Sequence, residues 1–261
     1  MMKSQILCSR LFLGRFLLPL AAMALFAGAL VCGQAARNPN PGILPINSTP
    51  YGMSYGEWGA AWWTWGLGIP GDQNPILDPD GSFCDSGQEG PVWFLAGTFG
   101  GDAVRTCTVP KGKALFFPII NWVYWAPEDL EFVQDVLAPH FGWDLTGLTE
   151  EEILRLGVNW NVDHTTILSL TIDGVEVNDP WQYRAESPAF SVILADFVAD
   201  WGYEPGLREP NVADGYWFMI RPLTPGEHTI QFNSGAQFSV ANGDPYDYEF
   251  EVQITYHLTV E

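Results

Sequence analysis

The 261-residue sequence predicts a mainly β protein: an antiparallel β-sandwich, immunoglobulin-like or jelly-roll-like, with short helical insertions. Three observations carry this. Across residues 246–260, Tyr246, Tyr248, Phe250, Val252, Ile254, Tyr256, Leu258 and Val260 alternate with Asp247, Glu249, Glu251, Gln253, Thr255, His257 and Thr259, the pattern of a strand with one buried and one wet face. Residues 166–172 alternate in the same way, meet Asp173-Gly174 and turn back through 175–177, which is a hairpin signal. Residues 92–98, 104–109 and 114–121 are short apolar or β-branched runs separated by Gly-rich and Pro-containing turns, and read as successive strands.

Taken in order, the chain opens with Lys3, Arg10 and Arg15, no acid, and an Ala- and Leu-rich run over 16–31 that ends in small residues near Ala35. That is the pattern of a secretory signal over 1–35, cleaved near Ala35 so that the mature protein starts near Arg37. Lipid anchoring at Cys32 is the second reading, since Ala29, Leu30 and Val31 lack a small residue immediately before the cysteine. No later run is long and apolar enough to span a bilayer. Residues 36–50 hold four prolines and read as an extended arm, with Asn47-Ser48-Thr49 a short sequon inside it. The rest, 51–261, is one domain's worth of chain. Its first element is a helix over 51–65, where Tyr51, Tyr55, Trp58, Trp62 and Trp65 recur at helical spacing and pack as a core face. Pro127 opens a second helix with Glu128 and Asp129 in its first turn, and Thr149 with Glu152 caps a third that Gly157 closes. A fourth is expected from Pro188 to Trp201, with Ser187 as its cap and Phe190, Ile193, Leu194 and Phe197 on one stripe. The turn Thr224-Pro225-Gly226-Glu227 precedes a strand over 228–232.

Charge bounds the partners. The formal charge of the whole chain is -20; all 31 acidic residues lie beyond the signal, so its removal leaves -23. A balance of that sign disfavours nucleic acid as a partner. Cys8 and Cys32 belong to the export segment, which leaves Cys84 and Cys107 to form one disulfide in an oxidising compartment.

The stretch Gly90-Pro91-Val92-Trp93-Phe94-Leu95-Ala96-Gly97-Thr98-Phe99-Gly100-Gly101, followed by Arg105-Thr106-Cys107-Thr108-Val109-Pro110 and by 112–121, resembles a family of uncharacterised secreted bacterial proteins. Trp62-Trp63-Thr64-Trp65 and the closing 255–260 are similar too, so most of the mature chain is covered. The resemblance implies export and a shared β-rich fold, and carries no activity with it.

Several motifs invite chemistry. Gly52-Met53-Ser54-Tyr55-Gly56 matches the GxSxG nucleophile elbow, but Pro-rich chain stands where the elbow needs a strand. Gly66-Leu67-Gly68-Ile69-Pro70-Gly71 matches GxGxxG, yet follows a helix and turns at Pro70, so nucleotide binding is rejected. Asp78, Asp80 and Asp85 surround an Asp-Gly turn and offer oxygens to calcium, although such turns need no metal and an EF-hand's ligand set is incomplete. The four histidines have no zinc spacing; His164, beside Asp163, is the one worth following. No other cofactor is implied.

Asn121-Trp122-Val123-Tyr124-Trp125 lies where a strand runs out before the helix at Pro127, and sites gather at strand ends. Alternation puts Trp122 and Tyr124 on one face and Trp125 on the other. Buried sandwich core is the leading account of these aromatics; if the Trp122 face is the buried one, Trp125 is left accessible beside Glu128 and Asp129, an aromatic plate next to acceptor oxygens that suits a sugar. The functional expectation is therefore an exported, non-catalytic ligand-binding or envelope-associated module with a glycan or peptide ligand. The alternatives are a hydrolase using paired carboxylates and a purely structural or interaction protein.

Overall fold

A computed structural model describes Asn40 and residues 42–261; the signal segment, its cleavage near Ala35 and Cys32 lie outside the described residues. The described chain belongs to a single compact unit. Its elements are α1 (Tyr55–Gly68), β1 (Val92–Phe94), β2 (Gly101–Val109), β3 (Ala114–Trp125), α2 (Glu128–Phe132), α3 (Ala138–Phe141), α4 (Glu150–Asp163), β4 (Thr165–Ile172), β5 (Val175–Glu176), β6 (Arg184–Glu186), β7 (Phe190–Leu194), β8 (Gly206–Ile220), β9 (Gly226–Phe238) and β10 (Tyr248–Val260). One sheet runs β1-β3-β8-β6, with β7 also on β8; the other runs β2-β10-β9-β4-β5. No described helix is long and apolar enough to cross a membrane.

The fold is thus mainly β and sandwich-like, but its sheets are mixed rather than antiparallel throughout. β1 lies parallel to β3, and β2 lies parallel to β10 along its whole length, from Gly101 against Val252 to Val109 against Val260. The alternation that announced β10 holds from Val252 onwards: Val252, Ile254, Tyr256, Leu258 and Val260 are buried and His257 is exposed, whereas Tyr248 at the start of the strand is exposed. Parallel pairing leaves no mark on a strand's own pattern, because the same residues face inwards whichever way the neighbour runs. The hairpin is also present, with Asp173 and Gly174 both at positive φ between β4 and β5, as a two-residue turn of that composition demands.

Phe117 of β3 stacks on its neighbour Phe218 of β8 within the first sheet and on Phe232 of β9 in the second, and the Ser234 hydroxyl of β9 donates to the Ile119 carbonyl at 2.8 Å; the contacts with Phe232 and Ser234 join the two sheets. The other side of the first sheet is covered by α1. Its Trp62 meets Trp217 edge to face, and Gly59 lies so near that a Cβ there would sit 3.0 Å from the Trp217 ring. The Ser54 hydroxyl accepts from the Glu57 N–H and the Glu57 carboxylate accepts from the Ser54 N–H, so Ser54 is the N-cap of α1 in a reciprocal capping box.

Two expectations are corrected. No helix spans 188–201; β7 occupies its first half and a 3₁₀ helix, Asp196–Trp201, its second. The apolar spacing there reflects Val192 and Leu194 facing inwards from a strand and Phe197 and Val198 from the helical turn, two short periods that together imitate one helical stripe. α4 does not stop at Gly157 but continues to Asp163. Gly157 is there for space, since a Cβ would stand 2.4 Å from the Tyr124 ring and 2.5 Å from Val133. The arm has no helix or long strand over its described part before Pro50 and packs on the first sheet: Ile43 is buried and bridges to Ile220, and Leu44 N–H donates to the Met219 carbonyl.

Cys84 is bonded to Cys107, tying the 78–88 turns to β2. Next to it, Arg105 is 1 % exposed and makes five hydrogen bonds, all to uncharged oxygens: the carbonyls of Ile76, Asp78, Ala96 and Gly97 and the Tyr256 hydroxyl. It sits at an inward position of β2 and pins two loops with one side chain. Planar guanidinium donors suit such a junction.

Candidate binding cleft

β3 is longer than the strand beside it. β1 covers it only from Ala114 to Phe116, after which the chain turns away towards β2 in the other sheet. From Phe117 onwards β3 is paired on its β8 edge alone among the described strands, and a bulge at Ile119 shifts its register there. Bulges re-aim side chains near strand ends. Where the two segments diverge lies a cleft of about 390 Å³, lined by residues 118–125 of β3, by Gly97, Thr98 and Phe99, by Trp62 and Trp63 of α1, by Asp129 and Phe132 of α2, by Asn161 of α4, by Trp201 and Tyr203, and by Tyr248 and Phe250 of β10.

Four of the five residues expected at a site meet here: Trp122, Tyr124, Trp125 and Asp129 all line the cleft. Their burial is the reverse of what an accessible Trp125 plate requires. Trp125 is 6 % exposed and packs edge to face on Tyr203, 5.4 Å between ring centres, whereas Trp122 is only partly buried and rests on Phe250 of the opposite sheet. The 3₁₀ turn ending at Trp201 and the residues after it bring Tyr203 over the Trp125 side, a cover that local spacing cannot reveal. Glu128, the fifth, is turned away: Arg208 donates to both its oxygens, at 2.7 to 3.1 Å.

Asp129 is held differently. Its Oδ2 accepts from the Trp125 backbone N–H at 2.9 Å, and no basic side chain is paired with it among the described residues. Burial pushes its carboxyl from the ordinary 3.8 up to about 7; the Trp125 N–H pulls the other way, and the charge of Glu128 adds a little more upward pressure. Tyr124 is raised well above its ordinary value by burial first and the Asp129 charge second, with its hydroxyl hydrogen-bonded to Asn161. Tyr203 is raised for the same two leading reasons. Two further cleft residues, Trp63 and Asn121, together with Trp125, carry buried N–H groups that meet no acceptor within the protein. At the rim Phe99 and Trp201 are both about two-fifths exposed and touch edge to face, 4.4 Å between ring centres.

The other candidates are committed elsewhere. Asp78 is buried, and its two oxygens accept from the N–H groups of Asp80, Gly81 and Phe83; Asp80 accepts from Ser82; Asp85 is exposed. Among the described residues no group of three or more His, Cys, Asp or Glu is placed to hold a metal ion. His164 caps α4, with one ring nitrogen 2.6 Å from the Trp160 carbonyl and the other 2.9 Å from Asp244, outside the cleft.

Trp63, Phe99, Asn161, Trp201 and Tyr203 were not singled out as site residues by sequence. Phe99 follows directly on the Gly97-Thr98 step, and an aromatic set between glycines at a strand end was the one available signal. Comparison with protein-family models, with curated proteins and with solved structures finds no match for this chain.

Proposed function

We propose that this protein is a binding module that takes a small ligand, partly apolar and partly hydrogen-bonding, in the cleft at the end of β3. The carrying observation is a cleft of about 390 Å³ whose walls are mainly aromatic and whose lining includes one carboxyl, Asp129. Ligand sites have this composition and size: apolar walls, a few convergent polar groups and a titratable group moved from its ordinary value. An exported setting fits the disulfide and the N-terminal charge pattern.

A hydrolytic mechanism with two carboxyls is less well supported. It needs a second carboxyl within about 5 to 10 Å of the first, Asp129 is the one acid lining the cleft among the described residues, and Glu128 is occupied by Arg208. A sugar ring is the neutral form of the binding reading: its apolar face would lie on the aromatic walls.

Gly97 makes the reading testable. It lines the cleft, and a Cβ added there meets no atom within 4 Å, so Gly97→Trp is the substitution expected to block the cleft, with the melting temperature as the check that the core is unmoved. A panel of monosaccharides, amino acids and small amines is titrated against tryptophan fluorescence. At least one compound is expected to bind the wild type saturably and to fail with Gly97→Trp at unchanged melting temperature. Equal binding by both proteins, or by neither, would sink the proposal.

A further inference from the structure

We infer that the ligand of this cleft is a small organic cation, an ammonium group carried on an apolar skeleton, held by Asp129 within a cage formed by Tyr124, Trp125 and Tyr203. The inference rests on the cleft being a binding site and says what class of molecule it takes. Its first ground is charge. Among the described residues lining the cleft there is one acid and no lysine, arginine or histidine, so an anionic ligand would meet a like charge and no cation. The second is the state of Asp129 itself. It is a largely enclosed carboxyl without a counter-ion, and a single backbone N–H serves it. Its neighbour Glu128 has a guanidinium; Asp129 does not. A buried carboxylate in that position is relieved by whatever positive charge enters beside it.

The third ground is the wall. Trp125 and Tyr203 stand at 82° to one another, 5.4 Å between ring centres, and Tyr124 lies close enough to Asp129 to feel its charge. All three line the same cleft as Asp129, and aromatic walls beside a carboxylate suit alkylated ammonium groups, because ring faces attract a cation without the desolvation cost of a second full charge. The formal charge of the whole chain, -20, adds a long-range pull on cations of the same sign as the local one. A neutral sugar would use the walls but leave the Asp129 carboxyl either protonated or unbalanced.

The charged and titratable groups facing Asp129 are Glu128 from its own turn, paired with Arg208 of β8, Tyr124 from β3 and Tyr203 from the segment over the cleft. Both tyrosines are raised above their ordinary range and stay neutral, so Asp129 carries the titration near pH 7. A bound cation holds Asp129 ionised. Below pH 7 the affinity therefore rises about tenfold per pH unit, and above that it levels off.

The test uses the full mature protein and three probes: choline, its uncharged carbon isostere neohexanol, and glucose, each titrated by calorimetry at constant ionic strength. Choline is expected to bind at least about tenfold more tightly than neohexanol, to gain affinity with pH up to about 7, and to lose most of its affinity in Asp129→Asn and all of it in Gly97→Trp. The amide of the first variant keeps an acceptor for the Trp125 N–H, and circular dichroism verifies that the variant is folded. If neohexanol or glucose binds as well as choline and Gly97→Trp abolishes it, the cleft is a site for neutral ligands and the cation inference fails alone. If no probe binds the wild type, or choline binds Gly97→Trp unchanged, the cation inference fails outright. Flat pH dependence of choline binding, or retention in Asp129→Asn, also overturns it.

Discussion

Replacing Asp129 by asparagine should make the protein more stable, and only above a certain pH. In the folded chain burial carries the carboxyl from the ordinary 3.8 to about 7. A shift of that size corresponds to on the order of 4 kcal/mol at about 1.4 kcal/mol per pH unit. Because part of the side chain remains accessible, roughly 2 to 3 kcal/mol is the better expectation. The sign follows from proton uptake. Between pH 4 and 7 the folded state keeps a proton on Asp129 that the unfolded chain has released, so this group's contribution is fully favourable below about pH 4 and is lost as the pH rises to about 7. The amide that replaces it has no proton to lose in this range and can still accept from the Trp125 N–H. Asp129→Asn should therefore match the wild type within about 1 kcal/mol at pH 4 and exceed it by roughly 2 to 3 kcal/mol at pH 8. Urea denaturation followed by tryptophan fluorescence at four pH values measures the difference, in which the other carboxylates cancel. A gap that does not change with pH, or a variant less stable at pH 8, would refute the reasoning.

Arg105→Leu leaves the carbonyls of Ile76, Asp78 and Gly97 without their side-chain donor, while the Ala96 carbonyl and the Tyr256 hydroxyl keep each other, and a loss of roughly 3 to 5 kcal/mol in urea unfolding is expected. Lysine, lacking the planar fork, should recover less than half of it. Gly157→Ala should destabilise by about 1 to 3 kcal/mol in thermal unfolding although alanine is the better helix former, because the added methyl would overlap Tyr124 and Val133; a gain in stability would mean that α4 stands further off. The double substitution of Cys84 and Cys107 by serine should cost about 2 to 4 kcal/mol, and intact-mass measurement of the native protein should show no free thiol at either position.

Much of this architecture was legible because it is local. The alternation of β10, the Asp173-Gly174 turn and the two capping boxes each depend on residues within a few positions of one another. What the sequence concealed is what depends on distant partners. A parallel neighbour leaves the pattern of β2 unchanged, so mixed sheets look antiparallel until the pairing is seen. The break at Ala195 between β7 and the following 3₁₀ turn joins two inward-facing sets into a false helical stripe. At the cleft, Trp122, Tyr124, Trp125 and Asp129 were found because they lie close together around a strand end. Tyr203 and Trp63 were missed because chain far away in sequence brings them there. The same distant cover reversed the burial of Trp122 and Trp125.

The position of β10 has a consequence for how this chain reaches its fold. It is the second strand of its sheet, with β2 on one side and β9 on the other, so β2 has no strand of its own sheet to pair with until residues 248–260 exist. During synthesis roughly 140 residues separate the end of β2 from the start of β10, an interval on the order of ten seconds at about 5 to 20 residues per second. Throughout that interval the apolar face of β2, and the Arg105 side chain whose Tyr256 partner has yet to be made, are without their native cover. The first sheet and the β9-β4-β5 part of the second can pair before then, so β10 is the last piece, and its arrival seats β2 and closes the second sheet in one step.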